Sequence, residues 1–203
     1  MSRAGFVALA GRPNVGKSTL VNALVGRKVA IVSDKPQTTR RAIRGVSTGD
    51  DTQLVLVDLP GVQRPRDALT ERMQHRVEAE LSESDAALLV INGEEGVGPG
   101  DRWIASLLGR SSVPVVIAVN KLDRLDRGDT LQVLTGAAEL GVGDDVFPIS
   151  ARTRVRSSRS RTTSSMITST ACGTSWNVRR RTCSRTSSAS STSSGWSLGS
   201  SGG

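Results

Sequence analysis

The sequence predicts an α/β fold: an open, mainly parallel sheet with helices on both faces, followed by a disordered low-complexity tail. Three observations carry that expectation. Short β-branched apolar runs recur through the first 151 residues, and several end in Gly, Asp or Asn. Helix-patterned stretches alternate with those runs, which is the sequence form of strands joined by helical crossovers. After Ala151 both patterns stop at once.

The first strand is expected at about residues 5–10, through Phe6-Val7-Ala8-Leu9-Ala10. It runs directly into Gly11-Arg12-Pro13-Asn14-Val15-Gly16-Lys17-Ser18-Thr19, and a helix is expected at about 17–26, through Leu20-Val21-Asn22-Ala23-Leu24. A Gly-rich turn between strand and helix points consecutive backbone N–H groups into one concavity, and the helix adds the positive end of its dipole. Polyphosphate is the natural occupant. Lys17 then reaches the β/γ-phosphates as a point charge, and the Ser18 hydroxyl ligates Mg²⁺.

Strands are next expected at about 43–48 and 52–58, the second through Leu54-Val55-Leu56-Val57 and ending in Asp58-Leu59-Pro60-Gly61-Val62. A bare Asp-x-x-Gly is a common turn. One strand after a phosphate loop, it reads as a carboxylate for Mg²⁺ with a glycine N–H near the γ-phosphate. Val62 follows where a water-orienting Gln stands in Ras-like enzymes, and an apolar side chain cannot orient water by hydrogen bonding. Slow intrinsic hydrolysis is the expectation.

A helix at about 67–82, a strand at about 85–92 and a helix at about 100–110 complete the middle of the chain. Gly93 to Gly100 reads as a mobile Gly-rich loop, not a second phosphate site, because no helix with a leading Lys follows it. The strand at about 113–119 delivers Asn120-Lys121-Leu122-Asp123 to its C-terminal end. A carboxylate at Asp123 accepts two hydrogen bonds from the N1–H and 2-amino groups of guanine, whereas adenine offers no such donor pair. Asn120 is expected to tie its loop to the phosphate loop and the base, with the Lys121 stem over the ring. This holds ATP hydrolysis to a distant second. A helix at about 129–140 and a strand at about 145–149 end at Ser150-Ala151, whose backbone is suited to contact the guanine O6.

These residues resemble the Era family of bacterial translation-factor-related GTPases. The distinguishing match is Pro36-Gln37-Thr38-Thr39-Arg40 in the first switch segment, together with the phosphate loop, and the resemblance covers about residues 3–151. It implies a P-loop GTPase of Ras-like fold that hydrolyses GTP to GDP and phosphate with Mg²⁺, acting as a switch in small ribosomal subunit assembly. Thr39, with Thr38 second, is the hydroxyl expected to close over Mg²⁺ and the γ-phosphate in the GTP state. The metal set is then Ser18, Thr39 and Asp58, and the catalytic set Lys17, Thr39, Asp58 and Gly61. Asn14 matches the position that holds K⁺ in several relatives; equally it suits a loop residue bonding its own backbone. The expected partners are the small ribosomal subunit and its rRNA, contacted in Era proteins through a C-terminal KH domain. The expected location is cytoplasmic, with peripheral association at the inner face of the cell membrane, and the expected state a monomer.

Composition agrees with a cytosolic chain. No run approaches the roughly 18–20 apolar residues of a membrane span, and no signal-peptide pattern precedes the first strand. The two cysteines, Cys172 and Cys183, supply neither a disulfide framework nor a metal-ligand spacing. His75 stands in a polar, charged helical segment and reads as a solvated surface residue.

The formal charge of +8 is unevenly distributed. Residues 1–151 carry 18 Lys and Arg against all 19 acids, while residues 152–203 carry nine Arg and no acid. That tail is about half Ser and Thr, with no Lys or Pro. Its apolar residues are too sparse for a packed domain, and no KH pattern of helices and strands around a Gly-x-x-Gly loop is present. A native RNA-binding Arg/Ser segment, an appended sequence and a reading-frame shift just after Ala151 each account for it, and the composition favours the frame shift. Residues 1–151 are therefore expected to form the GTP-binding domain without its last helix, leaving an apolar sheet face bare and the domain marginally stable. The alternatives to a working GTPase are an RNA-binding module with a basic tail and a relic with impaired folding.

Overall fold

The structure, a computed structural model, describes residues 3–32, 42–48, 52–62, 68–143 and 145–152. Thr38 and Thr39, expected to act in a switch, and the tail beyond Arg152 with both its cysteines, lie outside the described residues.

Among the described residues six strands form one sheet: β1 (Arg3–Ala10), β2 (Ile43–Thr48), β3 (Thr52–Asp58), β4 (Ala86–Asn92), β5 (Val115–Asn120) and β6 (Val146–Pro148). Their spatial order is β2-β3-β1-β4-β5-β6, with only β2 antiparallel to its neighbour. This is the open, mainly parallel sheet that the sequence predicts. The helices are α1 (Lys17–Val25), α2 (Ala68–Glu83), α3 (Pro99–Gly109) and α4 (Arg127–Ala138), with a short 3-10 turn at Leu122–Arg124.

Alternation along β1 sorts the core. Ala8 and Ala10 join a cluster with Val77 and Leu81 of α2, Ile104 and Leu108 of α3 and Ala137 of α4. Val7 and Leu9 turn to the other face, against Leu20 and Val21 of α1. β4 is buried along its whole length, as expected for a strand covered on both faces, and this is why it reads as a continuous apolar run. Leu88, Val116 and Ala118 are all buried on the α1 side, and Phe147, Ile149 and Ala151 pack against the same cluster. The helix expected after Ala151 itself falls outside the described residues.

Among the boundaries that differ from the sequence expectation, two have local reasons. β5 starts at Val115, after Pro114, which has no N–H for the ladder; the Pro114 carbonyl instead accepts from Ala87 N at 2.9 Å. α4 starts two residues early because Asp126 caps it, its carboxylate accepting from Asp129 N at 2.8 Å.

The register aligns the working ends of the strands. Leu9 of β1 stands beside Asp58 of β3, and Asn92 of β4 beside Asn120 of β5. β1 therefore delivers its loop into the crevice where the order turns from β3 to β4, the switch point at which open α/β sheets bind ligands.

Candidate nucleotide-binding site

The turn from β1 into α1 depends on Gly16. Its φ of 98° lies in the left-handed region, and a Cβ there would strike the Asn120 side-chain amide. The Gly16 carbonyl accepts from Leu20 N at 2.9 Å, so α1 begins as the loop ends. Asn14, also left-handed at φ 63°, is exposed at the loop's tip, where a short polar side chain tolerates that conformation.

Lys17 is only 6% exposed. Its Nζ donates to the carbonyls of Gly11 at 3.0 Å and Arg12 at 2.9 Å. Burial lowers its pKa from 10.5 to about 8, against the opposing pull of the Asp58 carboxylate. A lysine folded back over its own loop in this way presents concentrated positive charge to anything that enters the concavity.

Asp58, fully buried at the end of β3, accepts from Ser18 Oγ at 2.6 Å. The Gly11 carbonyl joins the two segments: besides Lys17 it accepts from Val62 N at 3.0 Å. Gly61 lies so close that a Cβ there would fall 2.8 Å from Pro13. Leu59 and Pro60, carried as site residues by their motif, are buried, Leu59 among the α2- and α3-facing core, and Val62 is buried with them.

At the other end, Asn120 is 2% exposed and makes two ties. Its Nδ2 donates to Val15 O at 2.8 Å, and its Oδ1 accepts from Ala151 N at 2.9 Å. Ser150 Oγ donates to Asp123 Oδ1 at 2.5 Å. Lys121 takes a left-handed conformation at φ 67° and pairs with Glu94 at 3.3 Å. The phosphate loop, Asn120-Lys121-Leu122-Asp123 and Ser150-Ala151 are thus one connected unit. Thr19 lies half-buried in the first turn of α1.

Arg12 belongs to the phosphate loop, and its side chain reaches outside that loop. Its guanidinium is engaged by the segment between β4 and α3, at 2.8 Å from Glu95 and 2.9 Å from Asp101. That segment, expected to be a mobile loop, is tied to the rest of the site: Asn92 Nδ2 donates to Glu95 at 2.5 Å, and Gly93 N to Asn120 O at 2.8 Å. Glu94 receives Arg124 at 2.8 Å as well as Lys121, and the Arg124 hydrogen bond holds its carboxyl below the usual range. Glu94, Glu95 and Asp101 escaped the sequence reading because they belong to no motif; the only signal was the density of acids around a Gly-rich turn. His75 is exposed on α2, 3.6 Å from Glu78.

The sequence profile of the 50S ribosome-binding GTPases matches residues 6–121, which runs from β1 to just past Asn120. The chain belongs to that family. Within it the chain is Era-like. It is 46% identical to GTPase Era of Mycobacterium sp. (strain KMS) over 155 residues, covering 74% of this chain and 52% of that protein. Against GTPase Era of Mycobacterium tuberculosis (strain H37Rv) the identity is 46% over 153 residues, 73% of this chain and 51% of the other. The chain thus spans about half the length of the curated relatives it matches, and the KH part of Era lies outside the match.

Solved structures agree. Era in complex with MgGDPNP and nucleotides 1506–1542 of 16S ribosomal RNA superimposes with a TM-score of 0.74 at 31% identity, covering 82% of this chain and 56% of that one. An Aquifex aeolicus Era variant bound to GDP·AlF4⁻ gives 0.73 at 32% identity, with the same coverage. No helix among the described residues is long and apolar enough to cross a membrane.

Proposed function

We propose that the chain binds GTP and GDP with Mg²⁺, hydrolyses GTP to GDP and phosphate, and serves as a switch in assembly of the small ribosomal subunit. The observation that carries this reading is Asn120, whose two hydrogen bonds join the phosphate loop to the segment beside Asp123. A base-reading carboxylate and a phosphate cradle connected through one buried amide offer a nucleotide both of its contacts, and Asp123 gives the site guanine preference.

The donor set fits Mg²⁺. Ser18 Oγ and the Asp58 carboxylate are hard oxygen ligands 2.6 Å apart. Among the described residues no group of three or more His, Cys, Asp or Glu forms a cage. Mg²⁺ is commonly held in this way, by one or two protein oxygens plus substrate phosphates. When bound, it supplies charge neutralisation across the β- and γ-phosphates. The chain's own residues do the rest: Lys17 places a cation on the phosphates, Gly16 and its neighbours in the loop from Gly11 to Thr19 offer backbone N–H groups, and Gly61 offers another near the γ-phosphate. Thr39, with Thr38 second, closes over the metal in the GTP state, and Asn14 is the residue assigned to K⁺ if hydrolysis proves K⁺-dependent. Ser150 and Ala151 back the guanine, with Ser150 orienting Asp123.

The profile's description refers to the large ribosomal subunit, whereas the Era structure above holds a fragment of 16S rRNA, a component of the small one. The second likeness covers more of the chain, so the small subunit is the partner proposed. Contact through the Arg-rich residues beyond Ala151 is the second reading, favoured by their nine Arg and absence of acid.

Binding of fluorescent GDP and ADP to the purified chain with Mg²⁺ in K⁺ buffer tests the reading. Saturable GDP binding with ADP ignored is expected. Equal binding of both, or of neither, overturns it. Truncation after Ala151 separates the second reading, which alone requires RNA affinity to vanish while GDP binding persists.

A further inference from the structure

Asp101 lies in the first turn of α3, outside every nucleotide motif, yet it is fully buried. Its carboxylate accepts from Gly98 N at 2.9 Å, which fixes the start of α3, and stands 2.9 Å from Arg12 Nε. The Arg12 side chain is 23% exposed, so this pair is largely withdrawn from water. Glu95, the other carboxylate on Arg12, is 53% exposed, and pairs that open to solvent contribute little.

A cap for α3 needs only an acceptor, which a neutral Asn supplies. A buried carboxylate costs much more to desolvate and calls for a partner charge, and here that charge is a residue of the phosphate loop. Gly100 makes room for it: a Cβ there would fall 2.7 Å from Arg12 Cδ. The backbone carbonyl of the same Arg12 accepts from Lys17 Nζ at 2.9 Å. A continuous line therefore runs from the start of α3, through Asp101 and Arg12, to the ammonium at the centre of the phosphate site.

We propose that Asp101 is a positioning residue for the phosphate end of the nucleotide site: by holding Arg12 it fixes the loop carbonyl that orients Lys17, and it leaves the guanine end untouched. The inference rests on the guanine-nucleotide reading above for its ligand.

The test is Asp101→Asn in the full chain, which keeps the cap acceptor and the shape while removing the charge. Two readouts apply: competition binding of GDP against guanosine, which lacks phosphates, and hydrogen exchange across the phosphate loop without nucleotide. The expected result is GDP weakened about tenfold with guanosine changed by less than about twofold. Loop amides should exchange about tenfold faster, with β4 and β5 protected as before. Guanosine weakened as much as GDP, or loop exchange unchanged, overturns the proposal and leaves Asp101 as a cap of α3 only. If the unaltered chain binds no guanine nucleotide, the functional reading fails, and the exchange comparison still decides the positioning role. Should Asp101→Asn not fold, Arg12→Lys carries the same two measurements, because an ammonium keeps the charge but cannot reproduce the guanidinium fork.

Discussion

Substitution of Asn120 by Ala separates a residue that serves only the ligand from one that holds the site together. Asn120 is 2% exposed and satisfies two backbone groups, the Val15 carbonyl at 2.8 Å and the Ala151 N–H at 2.9 Å. Removing the side chain leaves both without that partner. An orphaned buried polar group costs about 1–3 kcal/mol, and Ala151 is only half-buried, so water recovers part of its share. The expected loss is about 2–4 kcal/mol, which for a chain of this size lowers the melting temperature by about 4–16 °C. The assay is calorimetry of nucleotide-free protein, with Asn120→Asp alongside. Asp retains the acceptor for Ala151 but sets a carboxylate against the Val15 carbonyl, so it should melt no higher than the Ala variant. An unchanged nucleotide-free melting temperature for Asn120→Ala would refute the reasoning, because it would mean that the two ties carry no stability and the residue acts on ligand alone.

Gly16→Ala should abolish GDP binding and cost about 1–3 kcal/mol in denaturant melts, since φ is 98° there and the new methyl strikes the Asn120 amide. Ser18→Ala should bring GDP affinities measured with Mg²⁺ and with EDTA close together, as it removes a hydroxyl 2.6 Å from Asp58. Lys17, with its pKa lowered to about 8, loses its charge in the ligand-free chain as pH rises, so GDP should bind about fourfold more weakly near pH 8.5 than near pH 7 by titration calorimetry. The sign for folding is opposite: the penalty for burying the Lys17 charge is fully present below pH 8 and is relieved between about 8 and 10.5, so this group makes the nucleotide-free fold more stable with rising pH. Thermal melts should show GDP raising the transition temperature, as mass action requires of a ligand of the native state; a transition unmoved by saturating GDP would count against binding.

Much of the fold was legible because the signals were local. The run from Phe6 to Ala10, the Gly-rich turn and the amphipathic start of α1 each announce themselves within a few residues. Boundaries slipped where one residue decides them, at Pro114 and at the Asp126 cap. The motif residues of the candidate site stand out in the sequence because the chemistry proposed for them demands particular residue types at particular spacings. Their supports were not. Glu94 lies 27 residues before Lys121, and Asp101 89 residues after Arg12; only the alignment of β1, β4 and β5 brings them together. Arg12 shows the limit most clearly: the motif places it in the phosphate loop, and nothing in the motif indicates that its guanidinium pairs with Glu95 and Asp101.

These supports explain how a site assembled from four separate segments is held in place. Each tie is a hydrogen bond or an ion pair between a backbone or side-chain group of one segment and a buried or half-buried group of another. Gly11 O joins the phosphate loop to the turn after β3, Asn120 joins it to the turns after β5 and β6, and Arg12 joins it to α3. Phosphate-loop residues take part in all three. A group entering between Lys17 and the loop carbonyls would compete directly for hydrogen bonds that the loop now satisfies internally, at 3.0 and 2.9 Å. Polyphosphate, with several charged acceptors, outcompetes neutral carbonyls for a desolvated ammonium, whereas water does not. On the nucleotide reading proposed above, a charged ligand would draw on this internal bonding of Lys17, and the turn after β3 would feel its arrival because Val62 N donates to the same Gly11 carbonyl.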